Sequence, residues 1–193
     1  EFSEIYVDSD WVLVDASGSA VLTGMETGWP DALDLKFEIS NIVTNPLGLY
    51  PEPIGLERAR LDMTLALEPL HLDLHGLQIF DLDEVLTVNG EASAQAQGWQ
   101  IAVAGDIARI APERLMELWP ASLAPKARLW IDTNVTRTEL SNIRFHIEAP
   151  AGQVPSAFLG FDFSDFNARF MRDVPPIEAA FGQASLQGKR FVI

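Results

Sequence analysis

The chain has 193 residues, 28 of them acidic and 13 basic, for a formal charge of −15, and it contains no cysteine. That balance opposes both phosphate-backbone binding and polybasic attachment to an anionic bilayer, which rest on clustered Lys and Arg, and the lack of cysteine removes disulfides, thiolate catalysis and Cys-based metal sites. With 48% hydrophobic and 21% charged residues the chain lies far from the disordered class, and at this length it can bury roughly 70% of the surface its unfolded form exposes.

Period-two alternation of apolar and polar residues runs from Ile5 to Val14 and returns after Ser17-Gly18-Ser19 as Ala20 to Thr23, which predicts strand, turn and strand. Leu33 to Ser40 alternates more cleanly, with Leu33, Leu35, Phe37 and Ile39 on one face and charge on the other. Asn45 to Pro53, rich in proline, predicts a loop whose Tyr50 folds back onto the sheet. Leu61, Met63, Leu65 and Leu67 then alternate with Asp62, Thr64 and Ala66. Past Glu68-Pro69, Leu70, Leu72 and Leu74 alternate with His71, Asp73 and His75. Consecutive strands with one greasy face imply an antiparallel sheet.

Leu86 to Ala96 and Trp99 to Gly105, joined at Gln97-Gly98, read as a hairpin with small residues on its inner face. Pro112 opens a short helix that Pro120 stops, and a second helix starts near Pro125 and ends before Val135. Strands resume with Leu140 to Ile147, where Ile143, Phe145 and Ile147 face opposite to Arg144, His146 and Glu148. Phe158 to Phe170 shifts phase, which predicts a bulge near Ser164. Val174-Pro175-Pro176-Ile177 is a stop, and Ala179 to Ile193 forms a last hairpin turning near Gly188.

The expected organisation is a single domain over 1–193, with strands over 1–107, a helical cap over 108–136 and strands over 137–193. Its class is mainly β: a curved antiparallel sheet of about ten or eleven strands, forming a groove or open barrel, with two short helices near 112–134. Helices that short cannot cover one face of so large a sheet. The greasy face therefore calls for a second sheet, closure on itself, or a ligand.

Little in the sequence speaks for chemistry. His71, Asp73 and His75 share a polar strand face, but successive members stand about 7 Å apart, too far to meet on one metal ion. Asp81-Leu82-Asp83-Glu84 offers oxygens for calcium without the glycine or spacing of a dedicated loop. No Gly-x-Ser-x-Gly elbow, phosphate loop, dinucleotide fingerprint or His-Glu-x-x-His is present, and none of His71, His75 and His146 stands beside a nucleophile signature. No metal, cofactor or enzymatic activity is expected. Asn134-Val135-Thr136 matches a glycosylation sequon, a pattern short enough to arise by chance. No apolar run approaches the roughly 20 residues of a spanning helix, and Glu1-Phe2-Ser3-Glu4 is too acidic to open a signal peptide. The chain therefore reads as either cytoplasmic or a piece of a longer exported protein.

The helical island carries Trp119-Pro120, then Ala124-Pro125-Lys126-Ala127-Arg128-Leu129-Trp130 and Asn134. Downstream stand Phe161-Asp162-Phe163-Ser164-Asp165-Phe166-Asn167-Ala168-Arg169-Phe170, then Val174-Pro175-Pro176-Ile177 and Gly182. In these features, from Trp99 to about Phe191, the chain resembles the AsmA-like, YhdP-like family of bacterial envelope proteins. It departs from that pattern at Arg137-Thr138, where the family places a glycine soon after the Asn. The resemblance makes Trp119, Pro120, Pro125, Ala127, Arg128, Trp130, Asn134, Pro175 and Pro176 structural motif residues. It implies a periplasmic β-groove in a parent chain anchored at the inner membrane, and phospholipid moving towards the outer membrane. Acyl chains would then lie on Leu35, Phe37, Leu61, Met63, Leu65, Leu70, Leu72, Leu74, Ile101, Val103, Ile143, Phe145 and Ile147. Without cargo, the same residues would form an ordinary β core. The alternative is a scaffolding β-domain that binds another envelope protein through an exposed edge or the Trp119/Trp130 cap.

Overall fold

The computed structural model describes residues 1–193 apart from 46, 47, 81–83, 123, 124, 170–172, 189 and 193. The first half forms β1 (Phe2–Asp8), β2 (Val12–Thr23), β3 (Ala32–Thr44), β4 (Ile54–Ala66), β5 (His71–Ile79) and β6 (Leu86–Gln95). After β7 (Gly98–Ile110) come helices α1 (Pro112–Leu118) and α2 (Pro125–Asn134). The chain closes with β8 (Val135–Ala149), β9 (Ser156–Ala168), β10 (Ile177–Gln187) and β11 (Arg190–Val192). These strands make one 11-stranded sheet in unbroken chain order, each antiparallel to the next. β1 and β11 are its two edges, so the sheet is open.

Registry keeps the alternating apolar residues together. Leu35 stands opposite Met63 and Phe37 opposite Leu61, Met63 opposite Leu74 and Leu65 opposite Leu72. Across the following strands Leu72 meets Ala92, Ala92 meets Ile101, Val103 meets Ile147, and Phe145 meets Leu159. One face is thus apolar from β2 to β10, and the other carries the charges, including Lys36, Asp62, Arg144 and Glu148.

Among the described residues, nothing but the two short helices at one end is layered on that apolar face. The chain exposes 12966 Å², whereas a compact monomer of its 21.3 kDa would expose about 9,100 Å². Most of the buried residues fall in two clusters, one around Ile107, Ile110, Leu140 and Ile143 and the other around Val14, Ile42 and Ala59, with Val88, Ala168 and Ala184 buried apart from them.

A single local device bends the strands at those clusters. Ile39-Ser40-Asn41-Ile42 in β3, Leu140-Ser141-Asn142-Ile143 in β8 and Phe163-Ser164-Asp165-Phe166 in β9 repeat one pattern, apolar-Ser-Asx-apolar. The Asx residue is left-handed each time, with φ of 52° at Asn41, 50° at Asn142 and 50° at Asp165. Asn and Asp tolerate that region because a short polar side chain can bond locally. The extra residue shifts the phase, so apolar residues three apart point to the same side, and the apolar face continues across the bend. Each Asx side chain is tied to a neighbouring strand. Asn41 Nδ2 donates to Asp15 Oδ2 at 2.7 Å, Asn142 Nδ2 to Asp162 Oδ2 at 2.7 Å, and Arg137 Nη2 to Asp165 Oδ2 at 2.6 Å.

Several boundaries differ from the sequence reading. Ser17-Gly18-Ser19 is no turn: β2 runs straight through it and the chain turns at Ser9–Trp11, where Ser9 Oγ accepts from Val12 N at 3.1 Å. Gly18 is needed because it lies opposite Phe37, where a Cβ would run into the backbone oxygen of Lys36 and then the Phe37 ring. Leu67 and Leu70 sit in the β4–β5 turn rather than on strands. The cap is also slightly shorter than expected, since β7 continues to Ile110 and β8 starts at Val135. The bulge predicted near Ser164 is present at Asp165.

Candidate functional site: an uncovered apolar face with a helical cap

The cap is built from the motif residues upward. Pro112 occupies the first position of α1, where its missing N–H costs nothing. Pro120 holds Trp119 in an extended conformation, with φ −85° and ψ 109°, which ends the helix. The carbonyls left unpaired at that end are met by the guanidinium of Arg128 in α2: Nη2 donates to Met116 O at 3.0 Å and Nε to Trp119 O at 3.2 Å. Asn134 Nδ2 donates to Trp130 O at 2.8 Å, and Asn134 O accepts from Arg169 N at 3.0 Å, joining α2 to the end of β9. Its amide is thereby engaged within the fold. β8 begins at the next residue, Val135, so no turn exists there for a glycine to serve, and Arg137-Thr138 lie within the strand.

The cap lies over one end of the apolar face. Leu115 and Leu118 of α1 pack on Ile107, Ile110, Leu140 and Ile143. Arg114 Nη2 reaches Gly55 O at 3.0 Å, at the start of β4. That strand is three places from β7 in the sheet, about 14 Å away at ~4.8 Å per strand, so α1 crosses the intervening strand ends. Tyr50 closes the same end from the β3–β4 loop, its hydroxyl donating to Leu118 O at 2.9 Å. It folds back onto the cap, not the sheet as expected from sequence. Partial burial pushes the Tyr50 pKa up, which keeps the hydroxyl a donor.

Away from the cap the apolar face opens. Along β7 and β8, exposure rises from 4% at Ile107 and 6% at Ile143 to 42% at Ile147 and 51% at Trp99. Of the residues expected to line it, Leu35, Phe37, Leu61, Met63, Leu65, Leu72, Leu74, Ile101, Val103, Ile143, Phe145 and Ile147 share this face. Leu70 lies just before β5, in the turn, with its backbone oxygen still accepting from Ala94 N at 3.1 Å.

The alternation missed an inner-face feature, glycines placed under aromatic rings. Gly18 faces Phe37, Gly105 faces Phe145 and Gly182 faces Phe163, each directly across a strand pair. A Cβ at Gly105 would come within 2.6 Å of the Phe145 ring, so the rings lie down on the sheet and keep the face level. Phe145 and Phe37 therefore form a smooth floor rather than projecting walls. The signal lies in cross-strand pairing, which the local sequence does not contain.

The outer face is polar and laced with exposed ion pairs. Lys36 Nζ stands 3.1 Å from Asp62 Oδ2, and His75 Nδ1 stands 3.3 Å from Asp62 Oδ1. Hydrogen bonds from Lys36 and then His75 hold the Asp62 carboxyl below the usual carboxylate range. His75 Nε2 also lies 3.6 Å from Asp73, while His71 takes no part in these ion pairs. Among the described residues no group of three or more His, Asp or Glu is placed to hold a metal ion. Residues 81–83 of the acidic stretch considered for calcium fall outside the described residues. A concavity of about 670 Å³ is lined by Asp106, Arg144, His146 and Asp162 together with apolar Ile143, Phe145 and Phe158, and by no serine, threonine or tyrosine.

Fold and site together define an open, single-layer antiparallel β-sheet with one apolar face, capped at one end. Comparison of the chain with protein-family models, with curated proteins and with solved structures finds no match. Among the described residues, no helix is long and apolar enough to cross a membrane.

Proposed function

We propose that this chain is a lipid-binding segment of the bacterial envelope whose apolar face holds phospholipid acyl chains and passes them along the sheet. On this reading it belongs with the AsmA-like, YhdP-like proteins. It lies in the periplasm within a parent chain anchored at the inner membrane, and it serves phospholipid transport between the two membranes and maintenance of the envelope. The proposed role is non-enzymatic and needs no cofactor. The observation that carries the proposal is the uncovered apolar face: 12966 Å² of exposed surface on a chain of this mass, with that face continuous from β2 to β10.

The energetics favour such a surface. An acyl tail of about 15 carbons costs on the order of 12 kcal/mol in water at about 0.8 kcal/mol per methylene, so transfer needs continuous apolar contact. Small residues such as Ala92 and Ala149 leave room above the floor. The Arg128 and Asn134 bonds explain why the motif residues are required for the cap, which supports the family reading without depending on it.

The test is extraction and mass spectrometry of the purified chain. Phospholipid should copurify, and Leu74→Arg, which places a charge in the middle of the face, should abolish it while the circular dichroism spectrum is retained. A lipid-free chain whose apolar face is instead buried against another copy would overturn the proposal. In the scaffolding alternative the partner would use the open edges β1 and β11, since Trp119 and Trp130 are half-buried within the cap.

A further inference from the structure

At the end of the sheet opposite the cap, two neighbouring connections are free of charge, whereas the β2–β3 and β4–β5 connections at the same end carry Glu26, Asp31 and Glu68. Every residue between Glu91 and Asp106 is uncharged, and so is every residue between Glu148 and Asp162. These stretches contain the β6–β7 turn and the β8–β9 connection, in a chain of net charge −15. The two tips touch, since a Cβ at Gly152 would meet Gln97 Cβ at 3.4 Å. Apolar side chains project from them: Val154 is 88% exposed and Trp99 51%. The connections at the capped end carry Asp10, Glu52, Glu84 and Asp173, so the neutral pair is set apart from its neighbours at both ends.

Trp99 belongs to the apolar face, where it follows Ile101 in the alternation of β7 and stands at the lip. An indole at such a lip, beside a neutral turn, suits the boundary between lipid headgroups and acyl chains, where Trp is enriched. With no Lys or Arg on either tip, attraction to anionic headgroups is not available. With no Asp or Glu there, repulsion by the chain's own charge is kept away from the contact.

We propose that the neutral tips of β6–β7 and β8–β9 dock the open end of the sheet onto a zwitterionic phospholipid surface, with Trp99 and Val154 inserted at headgroup level. The contact rests on the tips and stands whether or not the apolar face carries cargo.

Sedimentation of the intact chain with sucrose-loaded phosphatidylcholine vesicles tests it. The chain should sediment with the vesicles, and Trp99→Ser and Val154→Asp should each weaken binding by about tenfold. Phe181→Ser removes a ring that is 83% exposed on β10 and should leave binding unchanged. Leu74→Arg should still bind vesicles even though it loses copurified lipid, which separates docking from cargo binding. A chain that stays in the supernatant, that requires anionic lipid, or whose two tip variants bind like the wild type would overturn the docking proposal. So would loss of vesicle binding in Leu74→Arg alone.

Discussion

Asn142, at φ 50°, donates its side-chain amide to Asp162 Oδ2 at 2.7 Å across the β8–β9 pair. Asn41 and Asp15 make the same bond between β3 and β2. The left-handed backbone and the cross-strand bond are separable. Asn142→Ala loses both the bond and the tolerance of positive φ, whereas Asn142→Gly loses only the bond. The alanine variant should be less stable than the glycine variant by about 1 kcal/mol, measured by urea denaturation. Equal stabilities would show that conformation is not what selects Asn there.

Gly105 lies under Phe145, and a Cβ there would also stand 2.8 Å from Thr87 O, a backbone atom that cannot step aside. Gly105→Ala should therefore cost about 1–3 kcal/mol. Gly182→Ala meets only the far end of the Phe163 ring, at 3.0 Å, and should cost less. Thermal melts of the two variants give the order directly.

Arg128 makes two bonds to the end of α1 from one planar group. Arg128→Ala should loosen the cap by about 1.5–3 kcal/mol, and Arg128→Lys should not restore it, because an ammonium cannot reproduce the fork. Hydrogen exchange of the α1 amides reads this out, with faster exchange expected in both variants.

The two ends of the apolar face should respond differently to truncation. Ile107→Ala, at a site 4% exposed, should cost about 2–5 kcal/mol. Ile147→Ala, on the open part of the same face at a site 42% exposed, should cost about 1 kcal/mol, because that side chain is only partly removed from water. Similar losses at both positions in denaturant titrations would mean that the open part is in fact covered.

Asp62 sets a pH dependence with a definite sign. Its carboxyl is held below the usual range by Lys36 and His75 in the folded chain. The resulting stabilisation is present above the unfolded-state value and is lost as pH falls through the lowered folded value. Lys36→Met should raise the Asp62 titration midpoint, followed by NMR of its carboxyl carbon. Because both side chains are in contact with solvent, the effect should also shrink with added salt.

Much of this fold is legible in the sequence because a sheet with one wet face writes its pattern at period two. Leu33 to Ile39 and Leu61 to Leu65 need no tertiary information to be placed on one face. The proline-bounded helices are equally local. What escapes is set by partners remote in sequence. Ser17-Gly18-Ser19 has a turn composition, yet Gly18 answers to Phe37 on the next strand. Tyr50 finds Leu118 at 68 residues' separation, which no local pattern encodes. Leu70 keeps the alternation of its neighbours although the chain is turning. The bends lie between these cases. Their apolar-Ser-Asx-apolar signature is present at Ile39, Leu140 and Phe163, but it breaks period two, and only comparison of the segments with one another brings it out.

The unbroken order from β1 to β11 means that, within the sheet, each strand pairs only with those directly beside it. Stability in such an array behaves as a sum over adjacent pairs, as in solenoids. A hairpin joined at either edge would widen the sheet by about 9.6 Å and leave every existing register untouched. The reach of the surface is thus decoupled from its cross-section, and it can be changed by whole hairpins without redesigning the cap or the bends.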